Sequence, residues 1–198
     1  MEGMAETRGM HERLAAPASD AGEREAFARR TAPGSHRWFE CAFLTVLLLS
    51  VVHSAFLQSY RVTGECMEPN LLAGERILGS RLAVSQGISR GDVVVFVPPF
   101  QCDTALVKRV IGLPGEVLEI RNSRVFVNDT HLDEPYLRHS WHDDRSAERI
   151  PDHTFFVMGD NRDESSDSRA WGLLPEANIQ AKAWIRYWPP HRIRILAP

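Results

Sequence analysis

Apolar positions fall into two regimes along the chain. Up to residue 36 large apolar side chains are sparse and unperiodic among Ala, Gly, Glu and Arg, which predicts a flexible tail over residues 1–36. From Cys41 to Leu57 the chain reads CAFLTVLLLSVVHSAFL, without Asp, Glu, Lys or Arg. With Trp38 and Tyr60 at its flanks, this run predicts one transmembrane helix over residues 37–59, near the lower limit of about 17 residues for crossing a bilayer. A secretory signal is the competing reading, but no convincing small-x-small cleavage site follows. Arg24, Arg29, Arg30 and Arg37 precede the run and Arg61 is the nearest positive charge after it, so the positive-inside rule leaves the N-terminus cytoplasmic. His53, near the outer end, reads as a neutral interface residue.

After residue 60 the pattern becomes short and strand-like. Runs at Arg61-Val62, Arg76 to Leu78, Val93 to Val97, Leu106 to Ile111, Val117 to Ile120, Val125 to Val127, Thr154 to Met158 and Ala183 to Trp188 are separated by turn residues. They predict a mainly β domain over residues 60–198, an antiparallel sandwich or barrel, with one helical turn near Pro175 to Ile179. A chain of 198 residues with a polar head has room for one modest core. The formal charge of -3 and the scattered arginines exclude a nucleic-acid binder. The cysteines and histidines lack ligand spacing, so neither metal nor cofactor is expected.

Three segments carry candidate chemistry. The first is Thr63-Gly64-Glu65-Cys66-Met67-Glu68-Pro69-Asn70-Leu71, a thiol in a Gly- and Pro-punctuated stretch just after the apolar run. The second, Lys108-Arg109-Val110-Ile111-Gly112-Leu113-Pro114-Gly115, puts a lysine inside a β-branched run. The third, Gly159 to Gly172, reads GDNRDESSDSRAWG and crowds acids, arginines and serines between two apolar anchors. Charge runs are usually solvated loops. Here Asp167 and Arg169 are spaced to pair, and Asp160, Asn161 and Arg162 to hydrogen-bond a tight turn, so the loop can be braced.

In this order behind one apolar helix, the three segments resemble the type I signal peptidases, membrane-bound serine/lysine peptidases that remove signal peptides from exported proteins. The first box of that family reads roughly Gly-x-Ser-Met-x-Pro-Thr-Leu and is matched by Gly64, Met67, Pro69 and Leu71, with Cys66 at the nucleophile position. The likeness spans roughly residues 38 to 190, with landmarks at Arg90 to Phe96, Val127-Asn128 and Leu132 to Tyr136. It implies Cys66 and Lys108 as catalytic pair, with Ser165 orienting the lysine and Asp160, Asp167 and Arg169 as support. It also implies Met67 and Pro69 near the substrate, and the backbone N–H of Cys66 donating to the oxyanion. The partners it implies are signal peptides with small residues at the first and third positions before the cut, and the lipid bilayer. The place it implies is the bacterial cytoplasmic membrane, spanned once, with the catalytic domain outside.

The base must be uncharged to work, and burial can bring a lysine pKa down from about 10.4 by as much as about 3–5. The cysteine leaves three readings open. A thiol, with a pKa near 8.5, gives up its proton far more readily than a hydroxyl, so a slow cysteine/lysine enzyme is one. A pseudopeptidase that binds exported segments without cutting them is the second. An enzyme silenced by a disulfide between Cys66 and Cys102 is the third.

Overall fold

A computed structural model of the chain describes residues 34–100, 104–137 and 141–196; the side chains of residues 34–36 and 52–55 are outside that description. Residues 1–33 of the expected tail, Cys102 and the side chain of His53 therefore lie outside the described residues, and residues 34–36 belong to a helix.

The apolar run forms helix α1, Gly34–Phe56, and its large side chains, among them Trp38, Phe43, Leu44, Leu47 and Leu48, are exposed. No helix among the described residues is long and apolar enough to cross a membrane. The physical reason is length and dilution. The charge-free part, Cys41 to Phe56, is 16 residues, about 24 Å at 1.5 Å per residue, against a hydrocarbon core of about 30 Å, and Thr45, Ser50, His53 and Ser54 interrupt it. The expected extent of 37–59 is also corrected. The helix ends at Phe56, and Leu57–Arg61 form β1, paired antiparallel with β2, Arg76–Ser80. The ladder gives Leu57 to Tyr60 backbone partners that a fraying helix end lacks.

The rest is mainly β and antiparallel, as the alternation predicts. After β2 come α2 (Arg81–Ser85), β3 (Val93–Phe96), β4 (Leu106–Gly112), β5 (Val117–Arg121), β6 (Arg124–Val127), β7 (Thr130–His131), β8 (Arg145–Arg149) and β9 (Thr154–Met158). They are followed by α3 (Ser168–Trp171), β10 (Leu174–Pro175), β11 (Ile179–Trp188) and β12 (Arg194–Ile195). One sheet runs β1-β2-β11-β3-β4-β9-β10, with β12 also on β11, and a second runs β7-β6-β5-β8. The hairpins of the second sheet turn at Asn122-Ser123 and Asn128-Asp129, all four residues with φ between 49° and 62°. Asn and Asp tolerate that left-handed region, and such turns match strand twist. Strand β8, Arg-Ser-Ala-Glu-Arg, has no apolar alternation to announce it, because it lies at a sheet edge and its side chains are largely in water.

Strand β4 organises the interior. Val107 packs with Val62, Met67, Leu71 and Ile77 in one cluster. Val110 joins Val94, Phe96 and Val157 in a second, and Ile111 joins Leu118, Phe156 and Met158 in a third. The ladder between β4 and β9 stops at Arg109↔Met158, where the chain leaves the sheet at Gly159. On that side the Leu106 to Lys108 half of β4 has no strand partner among the described residues.

Candidate active site

The turn carrying Cys66 is built by packing. Met67 is fully buried and Leu71 is 1% exposed, and Leu71 N–H closes on the Met67 carbonyl at 2.8 Å. Two apolar plugs, four residues apart, seat one turn of chain in the core. Cys66 then lies half-buried at the rim, and its thiol donates to the Val107 carbonyl of β4 at 3.7 Å. Val107 immediately precedes Lys108, which is only 2% exposed and pairs across the ladder with Val94 of β3. Its place inside a β-branched run made Lys108 a candidate buried amine, and the fold encloses it. Among the described residues the thiol and the lysine amine share no hydrogen bond, and the thiol's partner is the Val107 carbonyl.

The loop after β9 reaches the same place from the other side. Gly159 lies so close to the turn that a Cβ there would stand 2.3 Å from Ser165 Oγ and 2.4 Å from the Cys66 carbonyl oxygen. Asn161 donates its backbone N–H to the Cys66 carbonyl at 3.0 Å and its Nδ2 to the Glu65 carbonyl at 3.2 Å. Of Asp160, Asn161 and Arg162, expected to brace a single turn, only Arg162 does so, through Nε to the Gly159 carbonyl at 3.1 Å. The other two fasten the loop to its neighbours.

Asp160 accepts Arg109 Nε and Nη2 at 2.8 and 2.7 Å, a two-pronged pair between loop and β4. It also accepts Asn70 Nδ2 at 2.8 Å, which brings the Cys66 turn into the same junction. Arg109 stacks 4.2 Å above the Tyr136 ring, and Tyr136 donates to Glu134 at 2.6 Å. Burial pulls the Arg109 guanidinium pKa down, but Asp160 outweighs it and the net shift is upward. Burial and the Glu134 carboxylate push the Tyr136 phenol well up.

Asp167, with no exposed surface, is the second junction. It accepts Ser165 Oγ at 2.7 Å, Gly159 N–H at 3.0 Å and Arg169 Nε at 2.8 Å. Burial raises the Asp167 carboxyl, yet Arg169, Ser165 and Gly159 together hold it below its ordinary value of 3.8. Because the Ser165 proton goes to Asp167, the lone pairs of Ser165 Oγ are left to accept. Arg169 also donates to the carbonyls of Arg162 and Ser165, at 2.6 and 3.3 Å. Asp167 and Arg169 pair as their spacing predicted. The reach of Asp160 to Arg109 and of Asn161 to Cys66 was not legible, since it joins positions 51 and 95 apart in the chain.

Met67, expected beside substrate, has no exposed surface, and the Pro69 carbonyl accepts Arg192 Nη2 at 3.0 Å. Among the described residues no group of His, Cys, Asp and Glu is arranged to hold a metal ion. Cys66 is a free thiol, as is Cys41.

The chain that brings the thiol turn, the buried lysine and the braced acidic loop together is similar to known proteins. Residues 35–188 match the family described as signal peptidase, peptidase S26. Probable signal peptidase I-2 of Synechocystis is 30% identical over 182 residues, covering 87% of this chain and 84% of that protein. Signal peptidase IB of Staphylococcus aureus is 34% identical over 171 residues, covering 77% and 88%. A crystal structure of a signal peptidase I from Enterococcus faecalis aligns with a TM-score of 0.45 at 29% identity, over 48% of this chain and 96% of that one. The chain belongs to the signal peptidase family, peptidase S26, and is a peptidase.

Proposed function

We propose that the protein is a membrane-bound endopeptidase that removes signal peptides from exported preproteins, with Cys66 as nucleophile and Lys108 as general base. The observation that carries this reading is the seating of the Cys66 thiol on the carbonyl of Val107, next in the chain to a lysine enclosed in the core. In this mechanism the thiol swings off that carbonyl and passes its proton to Lys108 Nζ. The thiolate attacks the scissile carbonyl carbon, and the Cys66 N–H donates to the developing oxyanion. Lys108 returns the proton to the leaving amine as the C–N bond breaks, which leaves a thioester. Water then attacks the thioester, again giving its proton to Lys108, and the C–S bond breaks to release the acid. Ser165 accepts from the lysine and orients it, while Asp160, Asp167 and Arg169 keep the loop in place.

The half of β4 without a strand partner is a natural edge for an extended peptide, whose main chain adds to a sheet by ordinary ladder bonds. Met67 then serves the site from below, as the anchor of the turn. The exposed apolar surface of α1 supports contact with the bilayer, and the exported substrates put the catalytic domain on the extracytoplasmic side.

In a site sized for an oxygen nucleophile the longer C–S bond displaces the thioester carbonyl from the water and from Lys108, which slows the second half-reaction. The expected signature is a burst followed by slow turnover, with a thioester that can be trapped. The rival reading, a non-hydrolytic binder of exported segments, draws on the thiol resting on Val107 rather than on the lysine. Incubating the detergent-solubilised chain with a preprotein separates the two. Cleavage by the parent, lost in Cys66→Ala and in Lys108→Ala, is expected; a parent that binds without cutting, or a Cys66→Ala variant that cuts at the parental rate, would overturn the reading. Cys66→Ser is expected to cleave faster than the parent.

A further inference from the structure

The far half of the Cys66 turn is closed by charges that none of the three chemistry-bearing segments supplies. Arg186, on β11, directs Nη1 to the Asn70 carbonyl, and Arg192 directs Nη2 to the Pro69 carbonyl at 3.0 Å. Both guanidiniums converge on Glu75, with Arg186 Nη1 3.2 Å from Oε2 and Arg192 Nε 2.9 Å from Oε1. Oε2 also accepts the Leu72 N–H at 2.9 Å, and Arg186 Nε donates to the Arg192 carbonyl at 2.6 Å. Glu75 and Arg186 are buried, at 4% and 6% exposure.

Closing a loop does not require this. Taking a carboxylate and a guanidinium out of water is costly, and apolar packing by Met67 and Leu71 already seats the turn. What guanidiniums add is a fixed fork that grips main-chain carbonyls, so the backbone itself is held in direction as well as in place. The grip comes from residues 116 and 123 positions away in the chain. Arg192 lies beyond residue 188, where the family match ends.

We propose that Glu75, Arg186 and Arg192 are positioning residues for the nucleophile, holding the backbone from Cys66 to Leu72 so that the thiol and the Cys66 N–H keep their aim. The inference rests on the reading of Cys66 as nucleophile. Glu75 keeps both guanidiniums gathered over the turn. Its Oε1 has no aligned hydrogen bond and relies on the ion pair with Arg192. Removing Arg192 therefore releases the Pro69 carbonyl and loosens Glu75 together, at a position that is 28% exposed and tolerant of truncation.

The test compares Arg192→Ala, Arg192→Lys and Glu75→Gln in the full chain. It measures kcat and KM on a preprotein and, separately, the rate of Cys66 alkylation by iodoacetamide against pH, read by peptide mass. Arg192→Ala is expected to lower kcat on the order of 10-fold with KM within about twofold, and to shift the alkylation profile, because small misplacements of reacting groups act on the chemical step. Arg192→Lys is expected to recover part of the loss, and Glu75→Gln to exceed it. Should Glu75→Gln fail to fold, the two Arg192 variants decide. A folded Arg192→Ala with parental kcat overturns the proposal, as does a loss confined to KM or to Tm. A Cys66→Ala variant that still cleaves would instead sink the nucleophile assignment, and the alkylation profile would still report whether the clamp aims that thiol.

Discussion

In the loop after β9, Asp160, Arg162 and Asp167 are at most 4% exposed, whereas in the second sheet Glu119 and Arg121 keep 26% and 45% of their side chains in water. The residue types are alike and the pairing distances comparable, 2.7 Å for Arg109–Asp160 and 3.2 Å for Arg121–Glu119. Enclosure makes the difference. An ion pair in water is screened and gives up side-chain freedom to form, so its net contribution is about 0–1 kcal/mol. In an enclosed network water cannot replace a lost partner, and removing one charge leaves the other buried and under-satisfied, at about 3–5 kcal/mol. The loop therefore holds one geometry, which a site for chemistry needs.

The comparison breaks most visibly at Asp167. Asp167→Ala is expected to destabilise the fold by about 3–5 kcal/mol and to abolish cleavage, measured by denaturant unfolding and preprotein processing, because it strands Arg169 and frees Ser165 and Gly159 together. Acid should do the same reversibly. The folded pKa of Asp167 lies below 3.8, so its stabilisation is complete above that value and is lost as pH falls through the lower folded value. Unfolding followed from pH 6 to pH 2 should show that slope in the parent and not in Asp167→Asn; equal slopes would mean the brace is not held by this carboxylate.

Gly159→Ala comes next. Its Cβ would collide with Ser165 Oγ and the Cys66 carbonyl, so the turn and the loop must part. Cleavage is expected to fall on the order of 100-fold while stability falls by only about 1–3 kcal/mol. An active Gly159→Ala would show that the two segments tolerate separation. Arg121→Ala should sit at the other extreme, within about 1 kcal/mol and with no change in cleavage, and high salt should erase what effect it has. The smallest change belongs to His153, whose exposed ring is raised from 6.5 by Glu176. Its contribution is present below that value and fades as pH rises through the folded one, so Glu176→Gln should bring the His153 NMR midpoint back down.

Much of the fold was legible because strand alternation is local. Val93 to Phe96, Leu106 to Gly112 and Thr154 to Met158 announce themselves by their apolar runs, and the structure moves their limits by a residue at most. The polar edge strand Arg145–Arg149 was not legible, because its backbone partner rather than its side chains makes it a strand. The helix limit failed at Phe56 for the same reason, since the edge of β2 decides what Leu57 to Arg61 become.

For the site, the order of residues determined which groups are chemically able: a thiol in a Gly- and Pro-marked turn, one lysine in a β-branched strand, and a loop whose Asp167 and Arg169 are close enough in sequence to pair. The tertiary structure alone decided which of them meet. Lys108 is enclosed by the packed chain, Asp160 serves Arg109 and Asn70 because three distant segments converge, and Arg192 reaches the Pro69 carbonyl across the chain. Periodicity and turn chemistry act over a few residues, whereas burial and long-range ion pairing are properties of the packed chain, and no local pattern encodes them singly.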